Sequence, residues 1–575
     1  MCSVSLGAGG GATYRVPGGP GPRRVGPGRF FLFVEGDREA FLSARREAAS
    51  CLPAAMANIA EMQTLTDVLT GRDSAPALEV TEGGPVLSRA ALRGAAKALA
   101  QELARHGVGR GDTVSFALAN TVEYVVVFLA CAEIAAVAAP LNAAYKAAEF
   151  TFYLEDTAAA LLLLPPEGSP EGQKAAAELK VPTLAVQLID GKVGLRPLGN
   201  ASSAAGKPSG AKPIVAPGPE DVALFLHTSG TTSKPKGVPL LHRNLMTSVK
   251  NIVETYELCE ADKTYLVMPL FHVHGLMSAL LSTLAAGGVV VLPAAGKFSA
   301  QVFWKDLKAH AITWYTAVPT IHQILLARAA ESKDHEGVVL RFIRSCSASL
   351  AAPVLERLEK VFKAPVLEAY AMTEAAHQMT SNPLPKHGAR KPGSVGRGTG
   401  VQITILGLDG KELKIGEVGE VCINGRNITP GYHNNPKANE EAFLFGWFHT
   451  GDQGKLDAEG YLTLTGRLKE LINRGGEKVS PLEVDSALLA SPKVAEAVAF
   501  AAPDEKYGEE VMAAVVLYPG ETATEAEILA VARERLGDFK VPKKLFIADS
   551  LPKTATGKIQ RRFVAEHFLK PASKL

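Results

Sequence analysis

Short unbroken apolar runs alternate along this chain with longer stretches of helical periodicity. The runs TVSFAL (113–118), AAALLLL (158–164), VALFLH (222–227), TYLVMPL (264–270) and VVVLPA (289–294) lack the polar alternation of a half-exposed strand. They read as strands buried on both faces, as in parallel sheets covered by helices. Between them, AALRGAAKALAQELARHG (90–107) is an Ala/Leu-rich helix closed by Gly107. The alternation predicts α/β layering. From about residue 401 the texture changes. Asp409-Gly410 and DAEG (457–460) are turn signals between short strands, which predicts an antiparallel, barrel-like part. Gly466-Arg467-Leu468-Lys469 opens another unit. There Ser480 reads as an N-cap, with Pro481 at the first helical position and Glu483 completing a capping box. The last 110 or so residues read as a compact α+β domain with two helices and several strands. No internal repeat is visible.

Two apolar stretches bear on the membrane question. Residues 125–141 carry Glu133 within them, and residues 275–296 have no charge and are long enough to span a bilayer. Gly287-Gly288 followed by VVVL splits the second into a buried helix and a buried strand. No transmembrane segment is expected.

A chain of 575 residues corresponds to about four folding units of roughly 150 residues. With 47% hydrophobic and 21% charged residues, large buried cores are possible. A net charge of +2 argues against wholesale nucleic-acid binding. The six cysteines, Cys2, Cys51, Cys131, Cys259, Cys346 and Cys422, form no CxxC pair. They are expected to be single buried thiols in a reducing compartment.

Both ends look non-globular. Residues 1–30 are rich in Gly, Pro and Arg, and the first acidic residue is Glu35. Residues 1–55 are therefore expected to be a disordered extension. It fits either a transit peptide, which would send the chain to another organelle, or an upstream extension of a reading frame starting at Met56. The chain ends in Ser573-Lys574-Leu575, a peroxisomal address read by an import receptor.

Residues 227–237 read HTSGTTSKPKG. Hydroxyls, glycines and two lysines follow a buried strand, which suits a phosphate-binding loop. It is not a Walker A loop, because Lys236 precedes the second glycine and Val238 follows it. Its companions in order are YAMTEAAH (370–377), WFHTGD (447–452), GRLKELINRGGEKVSPLEVD (466–485) and LPKTATGKIQRR (551–562). Together the five resemble the adenylate-forming superfamily of acyl-CoA synthetases, luciferases and peptide-synthetase adenylation domains. The resemblance covers nearly all of residues 60–565.

That resemblance implies an AMP-binding domain over residues 56–466, built of two α/β subdomains and a distorted antiparallel barrel. A small mobile α+β domain would follow over 467–575. It implies ATP, Mg²⁺ and coenzyme A. A carboxylate attacks the α-phosphate of ATP, and a thiol then attacks the acyl-AMP, so catalysis is mostly positioning and fixed positive charge. As the resemblance implies, Thr228, Ser229, Gly230, Thr231, Thr232 and Lys236 grip the terminal phosphates. Glu374 holds Mg²⁺, with Thr373 beside it. Ser347, Ala348, Ser349, Glu368, Ala369 and Tyr370 line the adenine slot. Asp452 takes the ribose hydroxyls and Arg467 the ribose or phosphate. Lys558 bridges the substrate carboxylate and the α-phosphate. The small domain turns about Lys469 and presents Arg474, Gly475, Gly476 and Glu477 for thiolation.

A narrower resemblance rests on MPLFHVHGL (268–276), TWYTAVPTIHQI (313–324), LRFIRSCSASLA (340–351), EAYAMTEAAHQMTSNPLP (368–385), FGWFHTGD (445–452) and ELINRGGEKVSP (470–481). These are similar to plant-type oxalate–CoA ligases, a peroxisomal branch that forms oxalyl-CoA. Oxalate is a small dianion whose second carboxylate must be paired inside the pocket. His272, Ser347 and His377 are the candidates for this. His272 and His274 stand two apart, but a third metal ligand is lacking, so a metal site there is rejected. Rival readings are a medium-chain or 4-coumarate-type CoA ligase, a luciferase-type oxygenase, and a non-catalytic nucleotide- or RNA-binding peroxisomal protein.

Overall fold

A computed structural model describes residues 52–69, 71–198, 210–228, 235–554 and 557–569, together with the backbone of two short strands near the start. Those strands, Val4–Leu6 and Ala12–Tyr14, pair antiparallel within the unit Met1–Ser43. The rest of residues 1–51 lies outside the described residues, as does the terminal SKL; so do residues 199–209, within a Gly/Pro/Ala-rich stretch (196–220) whose composition reads as a linker or surface loop. A helix covers residues 52–61, so the expected boundary at Met56 falls inside an element.

Within Ala44–Leu575, two large sheets carry the expected α/β layering. The first is seven-stranded. Its centre, Val137–Pro140, Thr113–Phe116 and Leu161–Leu164, is parallel and buried at every position. Both edges end in antiparallel pairs, Val222–Thr228 with Lys236–Leu241 and Thr183–Ile189 with Lys192–Arg196. The second sheet is nine-stranded. Lys263–Tyr265, Trp314–Ala317, Phe342–Ser345 and Val366–Met372 run parallel through it. The registers Ala317 opposite Ser345, and Ser345 opposite Glu368, bring the carboxyl ends of two strands level beside the third, which runs on to Met372. Sites of open α/β sheets form at such ends.

The helix Arg89–Arg105 starts where Ser88 Oγ accepts the Ala91 N–H at 3.2 Å. It buries Leu92, Ala96, Leu99, Ala100 and Leu103 on one stripe, and Gly107 beyond its end has φ +82°. Residues 125–141 form the helix Val122–Glu133 and the strand Val137–Pro140. Residues 275–296 split as expected, with helical turns to Ala285, Gly287 at φ +86° and the strand Val289–Leu292. Among the described residues no helix is long and apolar enough to cross a membrane.

The barrel-like texture after residue 401 corresponds to a four-stranded antiparallel sheet, Gln402–Leu406, Gly419–Asn424, Phe448–Leu456 and Leu462–Arg467. The C-terminal part is a five-stranded sheet. It carries three α-helices, Pro481–Leu488, Glu525–Arg533 and Arg561–Leu569, where the sequence pattern showed two. Ser480 Oγ caps Glu483 N–H at 3.3 Å. The Glu483 carboxylate pairs with Lys540 at 2.8 Å instead of returning to Ser480, so the capping box is only half formed. Cys131, Cys346 and Cys422 are buried free thiols. Cys259 is disulfide-bonded, which corrects the expectation of single thiols throughout.

Candidate active site

A cleft of about 710 Å³ lies where the two large sheets, the four-stranded sheet and the C-terminal part meet. Thr228, Lys236, His272, Ser347, Thr373, Glu374, His377, Arg467, Lys469 and Lys558 all line it. Lys558 reaches it on a turn closed by Lys558 N–H to Thr554 Oγ1 at 3.1 Å and by Gly557 at φ +78°. Contacts with the large domain flank that turn. Thr320 Oγ1 donates to the Gly557 carbonyl at 2.9 Å, and Gln323 Nε2 to the Ala495 carbonyl at 2.6 Å.

At one end of the cleft three histidines converge. His272 Nδ1 accepts the His274 N–H at 3.1 Å, which leaves the ring proton on Nε2. Lys558 Nζ stands 3.4 Å from that nitrogen. Two donors therefore aim at the same region, an arrangement that suits an oxygen anion. His274 begins a segment wound as a π-helix, His274–Leu281, a form common at functional sites. Gly275 is required there, because a Cβ would meet the carbonyl oxygens of Met268 and Pro269 at 2.5 Å. His377 is buried, and neither ring nitrogen has a hydrogen-bond partner among the described residues. Its ring centroid lies 5.4 Å from that of His274. Ser347 and His377 have φ of +74° and +101°, a backbone strain that clusters at functional sites.

Burial pushes all three imidazoles well below the ordinary histidine range, reinforced by Lys558 at His272, by His377 and Arg344 at His274, and by Arg344 at His377. They are neutral donors or acceptors, not cations. Burial also lowers the Lys558 ammonium to about 8, with Arg467 pushing the same way.

The other end is polar and acidic. Thr228 and Lys236 face each other across an antiparallel pair. Ser229, Gly230, Thr231 and Thr232 lie outside the described residues. Thr228 Oγ1 is buried without a hydrogen-bond partner among the described residues. Lys236 Nζ sits 3.8 Å over the Tyr432 ring, and Tyr432 donates to Glu374 at 2.8 Å. Asp452 and Tyr370 do not themselves line the cleft: Asp452 is buried opposite Arg467, which does, pairs with it at 3.1 Å, and accepts the Tyr370 hydroxyl. Burial raises the Asp452 carboxyl, and Arg467 opposes that shift.

Other candidates stand further off. Glu368 is buried, accepts the Gly393 N–H at 3.1 Å and is pushed up by burial to about 8. Ala369 is buried in the same strand as Glu368, while Ala348 and Ser349 are exposed. None of these four lines the cleft. Arg474 to Glu477 form a hairpin turn, with Gly475 and Gly476 at φ +60° and +99°. Arg474 pairs with Glu510 at 2.6 Å and lies 4.0 Å over the Tyr507 ring, and this turn too is absent from the cleft wall.

Several residues of the site escape motif reading. Tyr432 links Lys236 to Glu374. Glu420, Cys422 and His449 bring ligand-type atoms within 4.8 Å of one another, the only such group among the described residues. Glu420 also accepts the Gly451 N–H at 3.0 Å, which braces the HTGD turn. His274, Thr316 and Arg344 form a buried polar layer behind Ser347. Their side chains converge from separate strands and loops, and the pairing of elements was the missing signal.

Comparison with known proteins places these features in context. Residues 68–433 match the family described as AMP-binding enzyme, and residues 483–558 its C-terminal domain. An oxalate–CoA ligase of Arabidopsis thaliana is 57% identical, covering 80% of this chain and 90% of its own. One of Saccharomyces cerevisiae is 47% identical, covering 80% and 88%. The crystal structure of ATP-bound MatB from Rhodopseudomonas palustris superposes with a TM-score of 0.78 at 31% identity, over 88% of this chain and 99% of that one.

Proposed function

This chain belongs to the AMP-binding enzyme family as an AMP-forming acyl-CoA ligase that uses ATP and coenzyme A, and from that premise we propose that its acid substrate is oxalate. The reaction is oxalate + ATP + CoA to oxalyl-CoA + AMP + diphosphate. The observation that carries this reading is the acid end of the cleft, where His272, Ser347 and His377 stand with Lys558. A second carboxylate buried without partners would cost several kcal/mol. Neutral imidazole and hydroxyl donors beside a cation meet that need. The relatives named oxalate–CoA ligases support the same choice.

In the first step one carboxylate oxygen attacks the α-phosphorus and diphosphate leaves. The Lys558 ammonium holds the nucleophile and the α-phosphate together as charge builds on the phosphoryl oxygens. Lys236, Thr228 and the loop after it take the departing diphosphate. Asp452 exchanges its Tyr370 and Arg467 partners for the ribose hydroxyls. The Glu374 carboxylate and the Thr228 hydroxyl, which has no hydrogen-bond partner among the described residues, both belong to the cleft lining and offer hard oxygens that fit Mg²⁺. Bound there, Mg²⁺ would neutralise charge on the phosphates. In the second step the C-terminal part turns about Lys469, and Arg474 to Glu477 receive the thiol.

We also propose peroxisomal residence, through recognition of Ser573-Lys574-Leu575 by the import receptor. A fluorescent fusion should be punctate, and deletion of the three residues should make it diffuse.

The substrate test is diphosphate release with oxalate, malonate, acetate, octanoate and 4-coumarate. Oxalate should lead. A preference for octanoate or 4-coumarate would remove oxalate while leaving the ligase class intact.

A further inference from the structure

Arg344 lies on the strand Phe342–Ser345, fully buried. Its partners include no carboxylate among the described residues, and the Cys346 side chain lies beside it as well. Nε donates to Tyr256 Oη at 2.8 Å, one terminal nitrogen to Gln378 Oε1 at 3.1 Å, and the other to Thr316 Oγ1 at 3.2 Å and toward His274 Nε2 at 3.5 Å. Half-buried Arg561 and fully buried Arg89 are both compensated. Arg561 pairs with Asp485 at 2.7 Å, and Arg89 donates to the Leu284 and Gly288 carbonyls at a helix C-terminus, where the peptide dipoles are negative. A buried cation without a counter-charge is costly, so its position calls for a reason.

The hydrogen-bond polarity supplies one. A guanidinium can only donate. Thr316 Oγ1 therefore accepts from Arg344 and turns its own proton to His274 Nε2, 2.6 Å away. With Nε2 accepting, the His274 proton sits on Nδ1 and donates to Ser347 Oγ at 3.0 Å. Ser347 is left with its hydroxyl proton free for the cleft it lines.

We propose that Arg344 is a specificity-determining positioning residue which, through Thr316 and His274, sets Ser347 as a donor and supplies the positive charge that makes the acid pocket select a substrate with a second anionic oxygen pair. This rests on the oxalate reading above and deepens it. Arg344 touches no substrate. Its field and its one-way donor set act through the layer in front of it.

The test compares oxalate with oxamate, its isostere whose distal end is a neutral amide, using kcat/KM from diphosphate release. Arg344→Met should lower oxalate turnover by about 10²-fold, the scale for deleting one member of a buried charged contact, while changing oxamate far less. Gln378→Glu keeps the guanidinium and gives it an internal carboxylate. It should collapse the oxalate-to-oxamate ratio in the same way, so the proposal stays testable if Arg344→Met fails to fold. Thr316→Val, which cuts the relay and keeps the charge, should give an intermediate ratio. Equal losses for both acids, or unchanged ratios in both Arg344→Met and Gln378→Glu, would overturn the proposal. The wild-type enzyme in the same assay reports separately on the substrate. If it favours another acid with a second anionic group, oxalate falls and the Arg344 variants are read on that acid.

Discussion

At the scale of single residues, Lys558 carries the sharpest expectations. Lys558→Ala should reduce adenylation by about 10²–10³, the usual effect of removing one fixed donor. It should spare thiolation of pre-made oxalyl-AMP, so the half-reactions measured separately must diverge. Burial lowers the Lys558 ammonium to about 8. The cation is the working form, so kcat/KM for ATP should fall as pH rises through about 8. That alkaline limb should vanish in Lys558→Arg, which stays charged. Lys558, Glu374, His272, Ser347 and His377 were legible in the sequence because each sits inside an ordered motif. Arg344 and Thr316 also lie inside motifs, 340–351 and 313–324, but nothing in those motifs gave them a role. Their partners Tyr256, His274 and Gln378 are 34 to 88 positions distant, and only the packing of separate elements brings them together.

At the scale of elements, apolar runs marked the buried strands well, since both faces of a central parallel strand lack polar positions. The π-helical winding of His274–Leu281 was invisible, because every position there is buried and no polar face shows the period. Gly275→Ala tests what that winding does. The new methyl would have to displace the Met268 and Pro269 carbonyls, at a cost of about 1–3 kcal/mol for overpacking. The thermal midpoint should drop. The KM for the acid should rise more than that for ATP, since His272 and His274 flank the shift. The half-formed capping box at Ser480 marks another limit. Local spacing placed Glu483 correctly, but Lys540, 57 positions on, takes its carboxylate.

At the scale of the whole molecule, the structure holds Lys558 in the cleft and leaves the turn at Arg474 to Glu477 outside it. On the mechanism proposed above this is the adenylation arrangement, and thiolation would use another. Lys469 is exposed at the cleft edge, so Lys469→Pro should stiffen the hinge, retaining oxalate-dependent ATP–diphosphate exchange and losing oxalyl-CoA formation. Loss of both together would place the hinge elsewhere. The central claim is that oxalate attacks the α-phosphate of ATP in this cleft, and isotope transfer tests it most directly. Turnover of fully ¹⁸O-labelled oxalate with ATP and CoA should place one ¹⁸O in each AMP, carried by the bridging oxygen of oxalyl-AMP. Label appearing in inorganic phosphate, or AMP formed without label, would contradict the account.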